Sequence, residues 1–203
     1  MSWWHRAPID VSIAHGVTIG KRINLEIRPK TPSSLRVGKG STIGDDVRLR
    51  LRGGSVEIGE DVDLRATCIL NVTGGALRIE GPSNVGWGVA IHCAESVTIG
   101  RFAQIAEYST IVDSNHVHTA PDEWSYFTTR TAPIELGFDV WVCPKSTITM
   151  GVTIGEHVIV GPGSLVTKDV PGGVLTSGIP SRVIRALDLP WESPRSIGDS
   201  EAV

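Results

Sequence analysis

The chain has 203 residues, of which 40% are hydrophobic and 20% charged, enough to build one well-buried domain. Its formal net charge of -3 gives no electrostatic footprint for nucleic acid, and no stretch approaches the roughly 20 apolar residues of a membrane span. Cys68, Cys93 and Cys143 are odd in number and far apart, which argues for reduced thiols in the cytoplasm and against a disulfide framework or a CxxC metal knuckle.

The N-terminal MSWWHRAPID lacks the apolar core of a signal peptide. Residues 1–12 read as a cap in which Trp3 and Trp4 cover the open end of a repetitive column. From Ile13 onward, aliphatic residues recur every six positions in groups of three. The groups are Ile13, Ile19, Leu25; Val37, Ile43, Leu49; Ile58, Leu64, Leu70; Ile79, Val85, Ile91; Ile99, Ile105, Ile111; Leu136, Val142, Ile148; and Ile154, Val160, Val166.

Six is a multiple of the strand period of two and not of 3.6, so the spacing predicts short strands and excludes helices. Within each group, four residues after the first and second members comes a small or valine-sized residue, such as Ser41, Val62, Ala103, Ser146 or Ser164, with Ile23 the exception. The residue directly after a group member is often Gly, as in Ile19-Gly20, Ile43-Gly44 and Ile99-Gly100, which suggests corners with unusual φ. Three sides closing one turn give a triangular parallel β-solenoid over residues 13–170. Its seven coils rise about 34 Å at roughly 4.8 Å per layer.

Along this column, Arg48-Leu49-Arg50-Leu51-Arg52 alternates charge outward with leucine inward. It reads as a solvated strand face or as a polyanion-binding stripe. Trp87, in Gly86-Trp87-Gly88, is either a sugar-stacking platform or ordinary packing. His92, His116, His118 and His157 raise the question of a metal, but their spacing is not that of a repeated ligand set, and none is expected.

Between Ile111 and Leu136 the rhythm is suspended for a single long insertion, residues 112–135, which contains DSNHVHTAPDEWSYFTTRTAP. A long irregular excursion from an economical coil signals a functional loop. An extended HVH places the rings of His116 and His118 on one side. Trp124, Tyr126 and Phe127 form either a roof over a site or a small core of the loop itself. Past residue 170 comes a short C-terminal segment (171–203), ending in the Pro-, Ser- and acid-rich LPWESPRSIGDSEAV, which reads as a tail.

The stretch TAPIELGFDVWVCPKSTITMGVTIGEHVIVGPGSLVTKDVPGGVLTSGIPSRVIRAL resembles the signature of the hexapeptide-repeat acyltransferases, nearest the sugar and exopolysaccharide O-acetyltransferases. The resemblance implies a left-handed β-helix, a homotrimer, and acetyl-CoA in the groove between neighbouring prisms, with a sugar or other glycan as acceptor. It also implies that His116, in Asp113-Ser114-Asn115-His116, is the general base, with His118 its rival, and that Asn115 lies at the substrate. Asp113 or Glu107 would orient the imidazole or else cap a turn. Trp141 would wall the acetyl and acceptor pocket. Gly161, Gly163, Ser164 and Gly178 would let the pantetheine arm approach the backbone, and Lys168, Arg182 and Arg185 would meet the phosphates.

One departure stands out. Maltose and galactoside acetyltransferases carry an acceptor-assisting asparagine one coil earlier, where the aligned stretch of this chain reads Gly86-Trp87-Gly88, so their acceptor chemistry is not carried over. The same residues are compatible with N-acetylation of an amino sugar, and a non-catalytic trimeric scaffold would keep the repeat without the chemistry.

Overall fold

The structure, a computed structural model, describes residues 8–27, 31–117 and 128–188. Trp3, Trp4, His118, Trp124, Tyr126, Phe127 and the tail from Leu189 lie outside the described residues. No helix occurs among the described residues. The chain winds through three parallel sheets, one per face of a prism, with an extra two-stranded antiparallel sheet where the repeat is interrupted.

The six-residue pattern maps onto these faces without a slip. On the first face Ile13, Val37, Ile58, Ile79, Ile99, Leu136 and Ile154 are partners in successive coils. On the second face the ladder is Ile19, Ile43, Leu64, Val85, Ile105, Val142, Val160. On the third it is Leu25, Leu49, Leu70, Ile91, Ile111, Ile148, Val166. From coil two upward nearly all of these side chains are buried. Each is worth about 1.5–3 kcal/mol against exposure, and a one-residue slip would turn a whole face outward. The first coil is the open end, and there Ile13, Ile19 and Leu25 are about half exposed.

The corners show why small residues come four positions after the core ladder. Those places also face inward, and the serines among them hydrogen-bond the backbone: Ser41 Oγ donates to Gly59 O (2.7 Å), Ser146 Oγ to Cys143 O (2.9 Å) and Ser164 Oγ to Gly161 O (2.6 Å). A buried hydroxyl with a partner carries no desolvation penalty of an orphan.

The corner glycines have a different cause from the one their sequence position suggests. The residue just after each core position does not have positive φ. Instead, a Cβ there would strike the next coil: at Gly44 it would sit 2.5 Å from Ala66 N, and at Gly100 2.6 Å from Gly137 O. The left-handed conformation falls two residues later, and mostly on residues with side chains: Arg22, Asp46, Asp61, Thr67, Phe102, Tyr108, Asp139, Lys145 and His157. There the N–H turns back to the preceding coil, as in Thr67 N to Asp45 O and Tyr108 N to Trp87 O. That bond helps to offset the strain.

Above coil seven, Val174–Gly178 continues the second face beside Ile159–Val160 and folds back antiparallel onto Ser181–Ala186.

Candidate active site

The interruption of the repeat is a hairpin. Ser114–His116 pairs antiparallel with Thr129–Thr131, His116 opposite Thr129, and Val117 N donates to Thr128 O. It grows from the corner between the third face of coil five and the first face of coil six. Asn115 and His116 are exposed on it.

Its root is fixed by Asp113. On the third face, two residues beyond the core ladder, lies a second inward-facing row, Ile27, Leu51, Val72 and Cys93. Asp113 comes next at the same interval after Ile111, so this carboxylate occupies a place that the coils below fill with apolar groups. It is 0% exposed. Its oxygens accept from Ala94 N (2.8 Å), Glu95 N (2.8 Å) and Ser96 N (3.0 Å), the corner of the coil below. Its backbone carbonyl accepts from Ala132 N, where the hairpin returns, and Ala132 O accepts from Gly151 N. Asp113 is thus committed to the corner and not to a substrate, and of its two sequence-based roles the turn-capping one is what the geometry shows.

The other candidates divide by face. Trp141 stands outward on the second face between Gln104 and Ile159, 45% exposed. Trp87 is half exposed at the corner between the second and third faces, with the Arg65 guanidinium 4.6 Å from its ring centroid. Glu107 shares that corner one coil higher, so the strand Thr110–Val112 separates it from the hairpin. Lys168 is exposed at the hairpin's corner but two coils further on, and Arg182 and Arg185 are exposed on the C-terminal strand against the second face. His116 and Trp141 therefore stand on different sides of one prism and do not converge within a single chain.

Three expected donor contacts have local explanations that need no ligand. Ser164 is buried, with its hydroxyl spent on Gly161 O and reached by Gly178 N (3.2 Å). A Cβ at Gly161 would meet Ser177 Oγ at 2.6 Å, so glycine is required for the C-terminal strand to close on the column. Gly178 has φ +107 at the hairpin turn.

Burial disfavours the thiolate form at all three cysteines. Burial pushes Cys68 up to about 11, and burial followed by the charge of Asp113 pushes Cys93 up to about 12. Burial also raises Cys143. Among the described residues no three His, Cys, Asp or Glu side chains gather as a metal site. His157 is engaged instead with Asp139 (Nδ1 to Oδ2, 3.0 Å). No described helix is long and apolar enough to cross a membrane.

One group of residues does not stand out as a unit in the sequence. Asn24, Glu26, Arg48, Arg50, Asn71 and His92 line a cleft of about 290 Å³ on the third face. A signal is present nonetheless: Glu26, Arg50, Asn71 and His92 each directly follow a core ladder residue.

Compared with known proteins, no protein-family model matches the chain. It is 30% identical over 123 residues to the galactoside O-acetyltransferase of Escherichia coli K12, covering 54% of this chain and 61% of that one. It is 31% identical over 137 residues to the protein of the same strain named as the colanic acid biosynthesis acetyltransferase WcaF, covering 68% of this chain and 71% of that one. This chain thus spans less than two thirds of the first relative and more than two thirds of the second. In overall shape it is similar to a variant of AntD, an N-acyltransferase from Bacillus cereus, solved in complex with dTDP and coenzyme A. The TM-score is 0.53 at 19% identity, over 84% of this chain and 83% of that one, a likeness of fold.

Proposed function

Since this chain belongs to the hexapeptide-repeat acetyltransferases, we propose that it transfers the acetyl group of acetyl-CoA to a hydroxyl of a sugar, polysaccharide or glycosylated small molecule, with His116 as general base. The observation that carries this reading is the hairpin: among the described residues, an outgrowth rooted by a buried carboxylate holds His116 exposed beside the stacked coils.

In the proposed step the acceptor oxygen attacks the thioester carbon while its proton passes to the unprotonated ring nitrogen of His116. The C–S bond then breaks and the departing sulfur takes that proton, leaving an acetyl ester and free coenzyme A thiol. A positioned base of this kind is worth about 10²- to 10⁴-fold in rate. The separation of His116 from Trp141 fits a site completed by a neighbouring copy, as in a homotrimer. In that arrangement the exposed Lys168 and Arg182 are the basic groups offered to the donor's phosphates, and Trp141 the apolar wall. Three reduced thiols fit a cytoplasmic enzyme.

Thiol release from acetyl-CoA with panels of hydroxyl and amino acceptors tests the reading. His116→Ala is expected to lower turnover by about 10²- to 10⁴-fold. Turnover equal to that of the unaltered protein would remove His116 from its role, and activity confined to amino acceptors would replace O- by N-acetylation.

A further inference from the structure

We propose that the cleft on the third face is the acceptor subsite and that it selects a sugar bearing a negative charge, an inference that rests on the acetyl-transfer reading above. The cleft lies on the same face from which the hairpin departs. Glu26, Arg50, Asn71 and His92 form one outward row in register, and the next member is Val112, the residue before Asp113. Asp113 N in turn donates to His92 O (3.3 Å). His92 is therefore the titratable side chain of this row closest to the hairpin's root. At about 290 Å³ the cleft is at the lower edge of the roughly 300–1,000 Å³ of drug-sized pockets, a size suited to one sugar residue and not to a polymer segment.

Its chemistry is that of a polar, positively biased site. Asn71 Nδ2 lies 3.3 Å from His92 Nδ1. With the amide donating, the imidazole presents Nε2–H as a donor to a hydroxyl. Asn71 Oδ1 is a buried side-chain oxygen without a hydrogen-bond partner among the described residues. Leaving such an acceptor orphaned costs about 1–3 kcal/mol, a cost that a donor from a ligand or an ordered water would remove.

The charges do not cancel. Arg50 and Arg52 share one carboxylate, Glu26, at 3.0 and 3.4 Å, while Arg48 lines the same cleft from the parallel row between Asn24 and Ile69. A local surplus of guanidinium on a chain of net charge -3 is a recognition feature for a carboxylate or phosphate.

The test uses the full chain with three probes: methyl glucuronide, glucose 1-phosphate and methyl glucoside. Binding is read by calorimetry and transfer by thiol release. Either anionic probe is expected to exceed the neutral one by about tenfold in affinity and in kcat/KM, and the better of the two tells carboxylate from phosphate. Arg48→Gln is expected to cut that ratio about tenfold, and Arg48→Lys to keep most of it. Arg48 is exposed on an outward strand position, so both variants should fold. Equal affinity for charged and neutral probes, or a ratio indifferent to Arg48→Gln, overturns the inference even if acetyl transfer stands. Anionic binding lost in Arg48→Gln, with no thiol released to any acceptor, keeps the cleft and overturns acetyl transfer instead.

Discussion

Asp113 illustrates how one side chain can anchor an outgrowth from inside the core. A carboxylate taken fully out of water is tolerated because three backbone amides meet it, and those amides belong to the coil below. Removing it strands those donors and loosens the root from which His116 projects. Asp113→Ala is expected to cost about 2–4 kcal/mol in urea denaturation, while His116→Ala, exposed on the hairpin, should move the midpoint little. In the sequence Asp113 looks like a companion of the histidine. Its inward direction only emerges when the rows Leu51, Val72 and Cys93 are laid beneath it, because inward and outward alternate and a bend comes at once.

At the scale of the corner, two constraints act on neighbouring residues, and the repeat reveals their rhythm without their causes. Where glycine follows the core ladder, as at Gly44 and Gly100, the next coil passes within contact distance of the missing Cβ; the position two further on has positive φ and takes Thr, Tyr or Lys as well as Gly. Gly44→Ala is therefore expected to destabilise by about 1–3 kcal/mol, since the obstruction is the backbone of Ala66. Thr67→Gly, at φ 63, should be neutral or stabilising by up to about 1 kcal/mol. Thermal or urea melts of the pair separate the two causes. A sequence shows that glycine recurs; it does not show whether the empty space is wanted for rotation or for a neighbour.

For the whole molecule, the column is legible because every core position repeats, and repetition fixes register on all three faces at once. The site is legible only in pieces. His116 is marked by the interruption that carries it, and Trp141 by its motif, but the prism sets them on separate sides, and residues of separate sides meet only between chains. Light scattering of the purified protein is accordingly expected to return three chain masses; a lone chain would leave the proposed site unassembled. The cleft around Asn71 and His92 is hidden in the sequence because its members come from four different coils, each ordinary by itself.

The hairpin enters and leaves the column at neighbouring layers, so the layers it separates still meet as if it were not there: Ser146 N donates to Ser109 Oγ although the two are 37 positions apart. Doubling the chain length of one turn raises its closure cost by only about 0.6 kcal/mol. An excursion so cheap can be lengthened, shortened or exchanged without retuning the scaffold. The outgrowth is thus open to change by evolution, or by grafting, at a single exit point while the rest of the architecture stays constant.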